Sequence, residues 1–232
     1  MKLCLILSIS LLSSGLFGQN KFLSLGTREN GICFGNSSVY NGIRLNLKDL
    51  NTIKVNGISL AAHSVSNRVN GISAGILVAA DSFSNGFKIG GLVARAKIHN
   101  GLILSSLGIT STKLNGVGVT GLILFGDTLN GLFIGPFGVM PPNTRYTVKI
   151  INGFAIGGGV IASTMNGVAV AYFLNKFDTQ NGLSIAGINL AKELHGFQFG
   201  LINCALNNRR LFRWTPLFNF NLRKKVRQSE PQ

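Results

Sequence analysis

Acidic residues are scarce in this chain of 232: seven Asp and Glu stand against 22 Lys and Arg, for a formal net charge of +15. The seven carboxylates are scattered through polar stretches and give no paired general acid and base. The three histidines, His63, His99 and His195, meet no carboxylate at useful spacing. Three cysteines, Cys4, Cys33 and Cys204, are too few for a disulfide framework and carry no metal-ligand spacing. Apolar residues do not recur three and four apart over long windows, so helices are not expected. The glycine clusters Gly90-Gly91 and Gly157-Gly158-Gly159 lack the strand-to-helix context and the defined motif of a phosphate loop. The one Gly-x-Ser-x-Gly string, Gly71-Ile72-Ser73-Ala74-Gly75, falls inside a repeat copy and lacks the strand-to-helix turn of a hydrolase elbow. On these grounds no catalytic, cofactor-binding or metal-ligating residue is assigned, no cofactor is expected, and the chain is read as a non-enzyme.

What is present is a repeat. Asn-Gly followed by alternating apolar residues returns eleven times, at Asn30, Asn41, Asn56, Asn70, Asn85, Asn100, Asn115, Asn130, Asn152, Asn166 and Asn181, and a twelfth copy opens at His195-Gly196. Most steps are 14 or 15 residues. Counted from the Asn, position three is always large and apolar, as in Ile43, Phe87 or Leu183, and position five is apolar throughout, as in Leu45, Ile89 or Ile185. Position six is nearly always small. A second apolar pair follows at positions eight and ten, out of phase with the first, and positions eleven to thirteen lean polar. Period two means strand, and the small residues between the two pairs permit a bend.

This pattern predicts an all-β fold, a solenoid of about 11–12 rungs, each with two short strands and a passage through Asn-Gly. Stacked in register, the asparagines would form a ladder of amides. Positions three and five are expected to supply a common apolar spine, with positions four and nine facing outward. The outward rows then look unusually apolar, with Val93, Ile103, Ile123 and Phe133 among them, which points to a partner or a membrane. Two other folds use the same letters. One is a closed antiparallel outer-membrane barrel, whose strands need about 9–11 residues. The other is an antiparallel meander, because Asn-Gly is also a hairpin signal. Cys33 and Cys204 discriminate: a barrel brings the chain ends together, whereas a solenoid keeps the two thiols apart.

Residues 1–18 read as a signal peptide, with Lys2, an apolar Leu3–Leu12 core and small residues before Gln19. The apolar run falls short of the about 20 residues of a membrane span. Residues 19–222 read as one β-repeat domain, with an atypical entry segment at 19–29 and a C-terminal aromatic cap around Trp214–Leu222. Residues 223–232 read as a basic, disordered tail. The step from Asn130 to Asn152 is 22 residues, and its excess, around 140–149 with Pro141-Pro142, reads as a projecting loop. The basic charge is dispersed or lies near the C-terminus, with no nucleic-acid module beside it. The expected partners are therefore a membrane or envelope surface, an anionic polysaccharide or a protein, and not nucleic acid.

The copies Asn181–Asn189 (NGLSIAGIN) and His195–Asn203 (HGFQFGLIN) resemble a family of bacterial surface-repeat proteins carrying tandem NGLQIGLIN units behind a signal peptide. The ending Trp214–Phe220 (WTPLFNF) is similar to that family's aromatic PLINF finish. The resemblance covers residues 30–222 and is strongest in the last two copies. It implies an exported protein at the outer membrane or cell surface, structural or partner-binding, and assigns no site. The tail after Leu222 departs from the family's abrupt end.

Overall fold

The computed structural model describes residues 22–49, 52–140 and 148–222. The expected signal segment and basic tail lie outside them, as does most of the 140–149 loop. The chain is an all-β solenoid of about eleven turns. It divides into two compact units, the first running to Ile109 and the second beginning at Thr110.

The first unit holds β1 (Phe22–Gly26), β2 (Asn30–Gly35), β3 (Val39–Lys48), β4 (Thr52–Gly90) and β5 (Val93–Ser105). The second holds nearly all of β6 (Gly108–Thr120), then β7 (Ile123–Gly135), β8 (Gly138–Met140), β9 (Val148–Ile185), β10 (Ile188–Ala205) and β11 (Trp214–Asn221). At 39 and 38 residues, β4 and β9 are too long to be single straight strands. They wind through successive rungs while keeping their ladder pairing. The rungs pair parallel and in repeat register, Asn30 on Asn41, Asn41 on Asn56 and Asn85 on Asn100 in the first unit. In the second, Asn130 lies on Asn152 and Asn181 on His195. Parallel pairing overturns both the barrel and the meander, which are antiparallel throughout. Cys33 and Cys204 are free, buried thiols.

The Asn-Gly pair makes this stacking possible. Its glycines sit at φ between +114° and +147° from Gly42 onward, a conformation that side chains rarely adopt. A Cβ on Gly57 would also run into the carbonyl oxygen of Gly42 one rung below, and one on Gly167 into that of Gly153. Conformation and close approach therefore both demand glycine. Beside it runs the expected amide ladder. In the first unit Asn56 Nδ2 donates to Asn41 Oδ1 at 2.7 Å and Asn70 to Asn56 at 2.9 Å. In the second, Asn152 donates to Asn130 and Asn166 to Asn152, both at 2.7 Å. The 22-residue step thus leaves the ladder unbroken.

The facing of the strands is the reverse of the sequence expectation. Position four points inward: Ser59, Ile103, Phe133, Ala155 and Ser184 are all buried. Position six and the residue before each Asn join it, as with Ala61, Val69, Leu114, Leu129 and Leu194. Positions three and five face out. Ile43 and Ile72 are each 38% exposed and Phe199 is 47% exposed. Alternation fixes two faces but not which of them is inside, and here the lumen takes small side chains such as Ser59 and Ala155 together with large ones such as Leu114 and Phe133. The large outward residues instead stack on their counterparts one strand spacing away, about 4.8 Å, and cover one another along the column. The small residues at positions six and seven do turn the chain, with bends at Gly91-Leu92, Gly121-Leu122 and Ala186-Gly187.

Each end of the stack is closed by a reversal. β1 pairs antiparallel with β2, from Phe22 opposite Gly35 to Gly26 opposite Gly31. β11 runs antiparallel to β10, with Phe197 opposite Phe220 and Phe199 opposite Phe218. An antiparallel last strand does not offer the register of the next parallel rung, which protects the edge.

Two expected outcomes follow from this geometry. Gly57→Ala destabilises the first unit by at least about 2 kcal/mol, combining backbone strain with a backbone clash, measured by denaturant unfolding. Ending the chain after Arg213 uncovers β10, and light scattering finds assemblies larger than those of the intact chain.

Candidate functional site

The structure gathers polar side chains where the sequence reading placed none. In the first unit the lumen holds two buried ion pairs. Arg44 bonds Asp49 through Nη2 and Thr52 Oγ1 through Nη1, the latter at 2.9 Å. Asp49 also accepts from Asn46 Nδ2 at 3.0 Å, the Val65 amide at 3.1 Å and Ser64 Oγ at 3.2 Å. Lys88 bonds Asp81 and donates to the Arg95 carbonyl at 3.0 Å, and Ser66 Oγ holds the other Asp81 oxygen at 2.7 Å. Close by, Ser84 Oγ and His99 Nδ1 lie 2.6 Å apart, both buried. Burial pushes the Lys88 pKa down, and Asp81 pushes it back up. Burial, and then the Lys88 charge, lowers the His99 pKa to about 4, so this imidazole is neutral at pH 7.

The second unit's lumen is lined by amides instead of charges. Asn175 Nδ2 donates to Asn189 Oδ1 at 3.0 Å, and Asn189 Nδ2 to Asn203 Oδ1 at 2.9 Å. Gln180 Oε1 accepts from Ser184 Oγ at 3.1 Å and from Gln198 Nε2 at 3.0 Å. These groups, like those of the first unit, are almost entirely buried. They bond one another within the stack, but Asn175 Oδ1 and Gln198 Oε1, like Arg44 Nε and His99 Nε2 in the first unit, are buried without a hydrogen-bond partner among the described residues, each at a cost of about 1–3 kcal/mol.

The carboxylates Asp49 and Asp81, read from sequence as lying in polar turns, are therefore interior. The sequence does carry a signal. Position four holds a cation only at Arg44 and Lys88 among the copies from Asn41 onward, and an aspartate lies five or seven residues from each. Of the other histidines, His63 is half-buried and its carbonyl accepts the Asp49 amide at 3.0 Å. His195 is half-buried in the Asn position of the last copy. Burial raises the pKa of Cys33 and of Cys204, which leaves these thiols unreactive. The clustered glycines mark corners: a Cβ on Gly158 would meet the carbonyl oxygens of Phe137 and Pro136 within 3 Å. Among the described residues, no group of three His, Cys, Asp or Glu is placed to hold a metal ion. No helix there is long and apolar enough to cross a membrane, which says nothing of strands.

Large apolar residues at position eight face solvent, with Leu77, Leu92 and Leu107 in the first unit and Leu122, Phe137 and Phe173 in the second each more than a third exposed. Two further features do so. One is the pair of apolar columns at positions three and five, present in each unit. The other is a cavity of about 710 Å³ at the end of the second unit, where Phe212, Phe218, Phe220 and Leu222 meet Arg209, Asn208 and Asn219. The asparagines there are already engaged: Asn208 Nδ2 donates to Asn219 Oδ1 at 2.8 Å, and Asn221 Nδ2 to Asn208 Oδ1 at 2.7 Å. They tie β11 to the turn before it, and Asn207 Nδ2, donating to the Leu194 carbonyl at 3.0 Å, ties that turn to β10.

No family model, curated protein or solved structure matches the chain.

The His99 environment makes stability pH-dependent. The folded pKa lies below the unfolded value near 6.5, so the unfolded chain binds the proton first as pH falls. The stabilisation is complete above about pH 6.5 and is lost progressively towards pH 4, up to about 3 kcal/mol in all. His99→Gln should flatten that dependence in melts at about pH 7.5 and about pH 4.5. Glutamine is already the buried occupant of the equivalent position at Gln180.

Proposed function

We propose that this protein is an exported, non-enzymatic repeat scaffold of the cell envelope or surface, which acts by docking a partner on its outward apolar columns. The observation that carries the reading is that positions three and five are apolar in every copy, yet point away from the lumen. Ile32, Phe34, Ile43, Leu60, Ile72 and Ile89 are each more than a third exposed in the first unit. Phe154, Ile185, Phe197 and Phe199 are so in the second. Apolar residues scattered singly on a surface carry no message, whereas a contiguous array marks an interaction face.

Three further points support the reading. The polar groups with perturbed pKa values lie inside the stack, away from any substrate. The first 18 residues have the pattern of an export signal. The resemblance to tandem surface-repeat proteins points to the same compartment. The basic residues Lys113, Lys149, Lys176 and Lys192 are exposed in the other half of the repeat or just before its Asn, where they add solubility or contact an anionic polysaccharide.

Cell fractionation tests the proposal, combined with N-terminal sequencing of the accumulated chain. The expected result is a mature protein beginning near Gln19, recovered with the envelope and open to external protease. A chain that retains residues 1–18 in the cytoplasm would end the proposal.

A further inference from the structure

The outward columns of the second unit have a relief that repeats every three rungs. Val117 and Val119 form a low row. Leu132 and Ile134 form a middle row, and Phe154 and Ile156 a high one. Val168 and Val170 are low again, Leu183 and Ile185 middle, and Phe197 and Phe199 high. Parallel in-register pairing places these residues in two straight columns. Leu132 lies on Phe154 and Ile134 on Ile156, while Leu183 lies on Phe197 and Ile185 on Phe199. The amide ladder carries the same register from Asn152 through Asn166 to Asn181.

We infer that this face binds a second copy of itself, related by a two-fold axis that runs along the strands between the Phe154 and Val168 rows. Such an axis reverses the order of rungs and keeps each column opposite its own kind. The low row of Val117 and Val119 then receives the high row of Phe197 and Phe199. The two middle rows meet, Leu132 on Leu183 and Ile134 on Ile185. Phe154 and Ile156 face Val168 and Val170. Within these six rows every protrusion meets a depression, while the cap's Phe220 and Phe218 continue the columns past Phe197 and Phe199, and the match requires that the second copy run antiparallel along the stack. An isologous contact needs a patch that is complementary to itself under rotation, and the order low, middle, high, low, middle, high has that property.

Three observations favour a second copy over a lipid surface. The columns at positions three and five carry no charge in this unit, while its exposed lysines Lys113, Lys149, Lys176 and Lys192 lie elsewhere in the repeat. A bilayer has no fixed relief, so it gives the three-rung order no purpose. The area also suffices: six rows of half-exposed aliphatic and aromatic side chains present on the order of 700 Å², close to the roughly 800 Å² each partner gives to a standard stable interface. Two flat sheet faces pack at about 10 Å with their strands nearly aligned. The inference rests on the reading of these columns as a docking face and names its occupant.

Sedimentation equilibrium of the purified full chain tests it. The expected wild-type species is a dimer. Val168→Phe sets two high rows against each other and weakens association at least about tenfold, the equivalent of about 1.4 kcal/mol. Adding Phe154→Val exchanges high and low between the facing rows and restores the wild-type dissociation constant to within about threefold. The pair Leu132→Cys and Leu183→Cys yields a covalent dimer with a short bis-maleimide cross-linker, because the two positions are three rungs apart within one copy and opposite each other, about 10 Å apart, between copies. Circular dichroism of each variant checks that the fold is intact. A monomeric wild type, or a double variant no tighter than Val168→Phe alone, overturns the inference. So does flotation of monomer with neutral phosphatidylcholine vesicles, which would identify a lipid face. The association is measured on purified protein, so its failure leaves the export proposal standing, and a cytoplasmic location leaves the dimer standing.

Discussion

The backbone carbonyl of one Asn-Gly glycine presses on the next glycine in the stack, and the rest of the architecture depends on that contact. It leaves no room for a Cβ at Gly57, Gly71 or Gly167, and it sets each rung directly on the one before. From this constraint follow parallel register, the amide ladder beside it and the straight columns of side chains on both faces. Few other local features need to be specified as strictly. The corners vary among glycine, serine, alanine and proline, and the step length varies between 11 and 22 residues, while the glycine recurs in every copy.

Stacking also changes what counts as a core. In most domains a large aliphatic residue leaves water by entering an interior. In this chain it does so partly by lying on its own counterpart in the adjacent rung, so Ile43 and Ile72 remain only 38% exposed although they point outward. The lumen holds small residues, large aliphatic and aromatic ones such as Leu114 and Phe133, and polar groups that bond one another in part. Lys88 and Arg44 are tolerated there because each has an aspartate and further oxygen partners around it. A buried ion pair of this kind is weak evidence for stability, yet removing one member is strongly destabilising. The pairs therefore constrain which side chains can neighbour them more than they strengthen the unit.

The repeat makes much of this fold legible from sequence. Eleven Asn-Gly pairs carry the rung length, the strand content and the amide ladder. The small residues at positions six and seven mark the corner. The direction of the side chains is not legible, because two out-of-phase apolar pairs in one rung are consistent with either face being interior. The burial of position four settles the matter, and it shows only in the folded rung. Asp49 and Asp81 are misplaced for the same reason: with position four assigned outward, a cation at Arg44 or Lys88 looks like ordinary surface charge. The apolar second face visible in the sequence is real as a quantity, but it belongs to positions three and five, not to four and nine.

The Asn130 to Asn152 step has a consequence for how such a chain accommodates new material. Asn130 and Asn152 lie 22 residues apart, against 14 or 15 for most neighbours, and Asn152 still donates to Asn130 at 2.7 Å. Rung-to-rung registration is thus indifferent to the length of chain between one ladder asparagine and the next. A scaffold with that property can exchange its decorations without renegotiating its frame, so diversity among chains of this design would concentrate at corners while the glycine rows stay fixed.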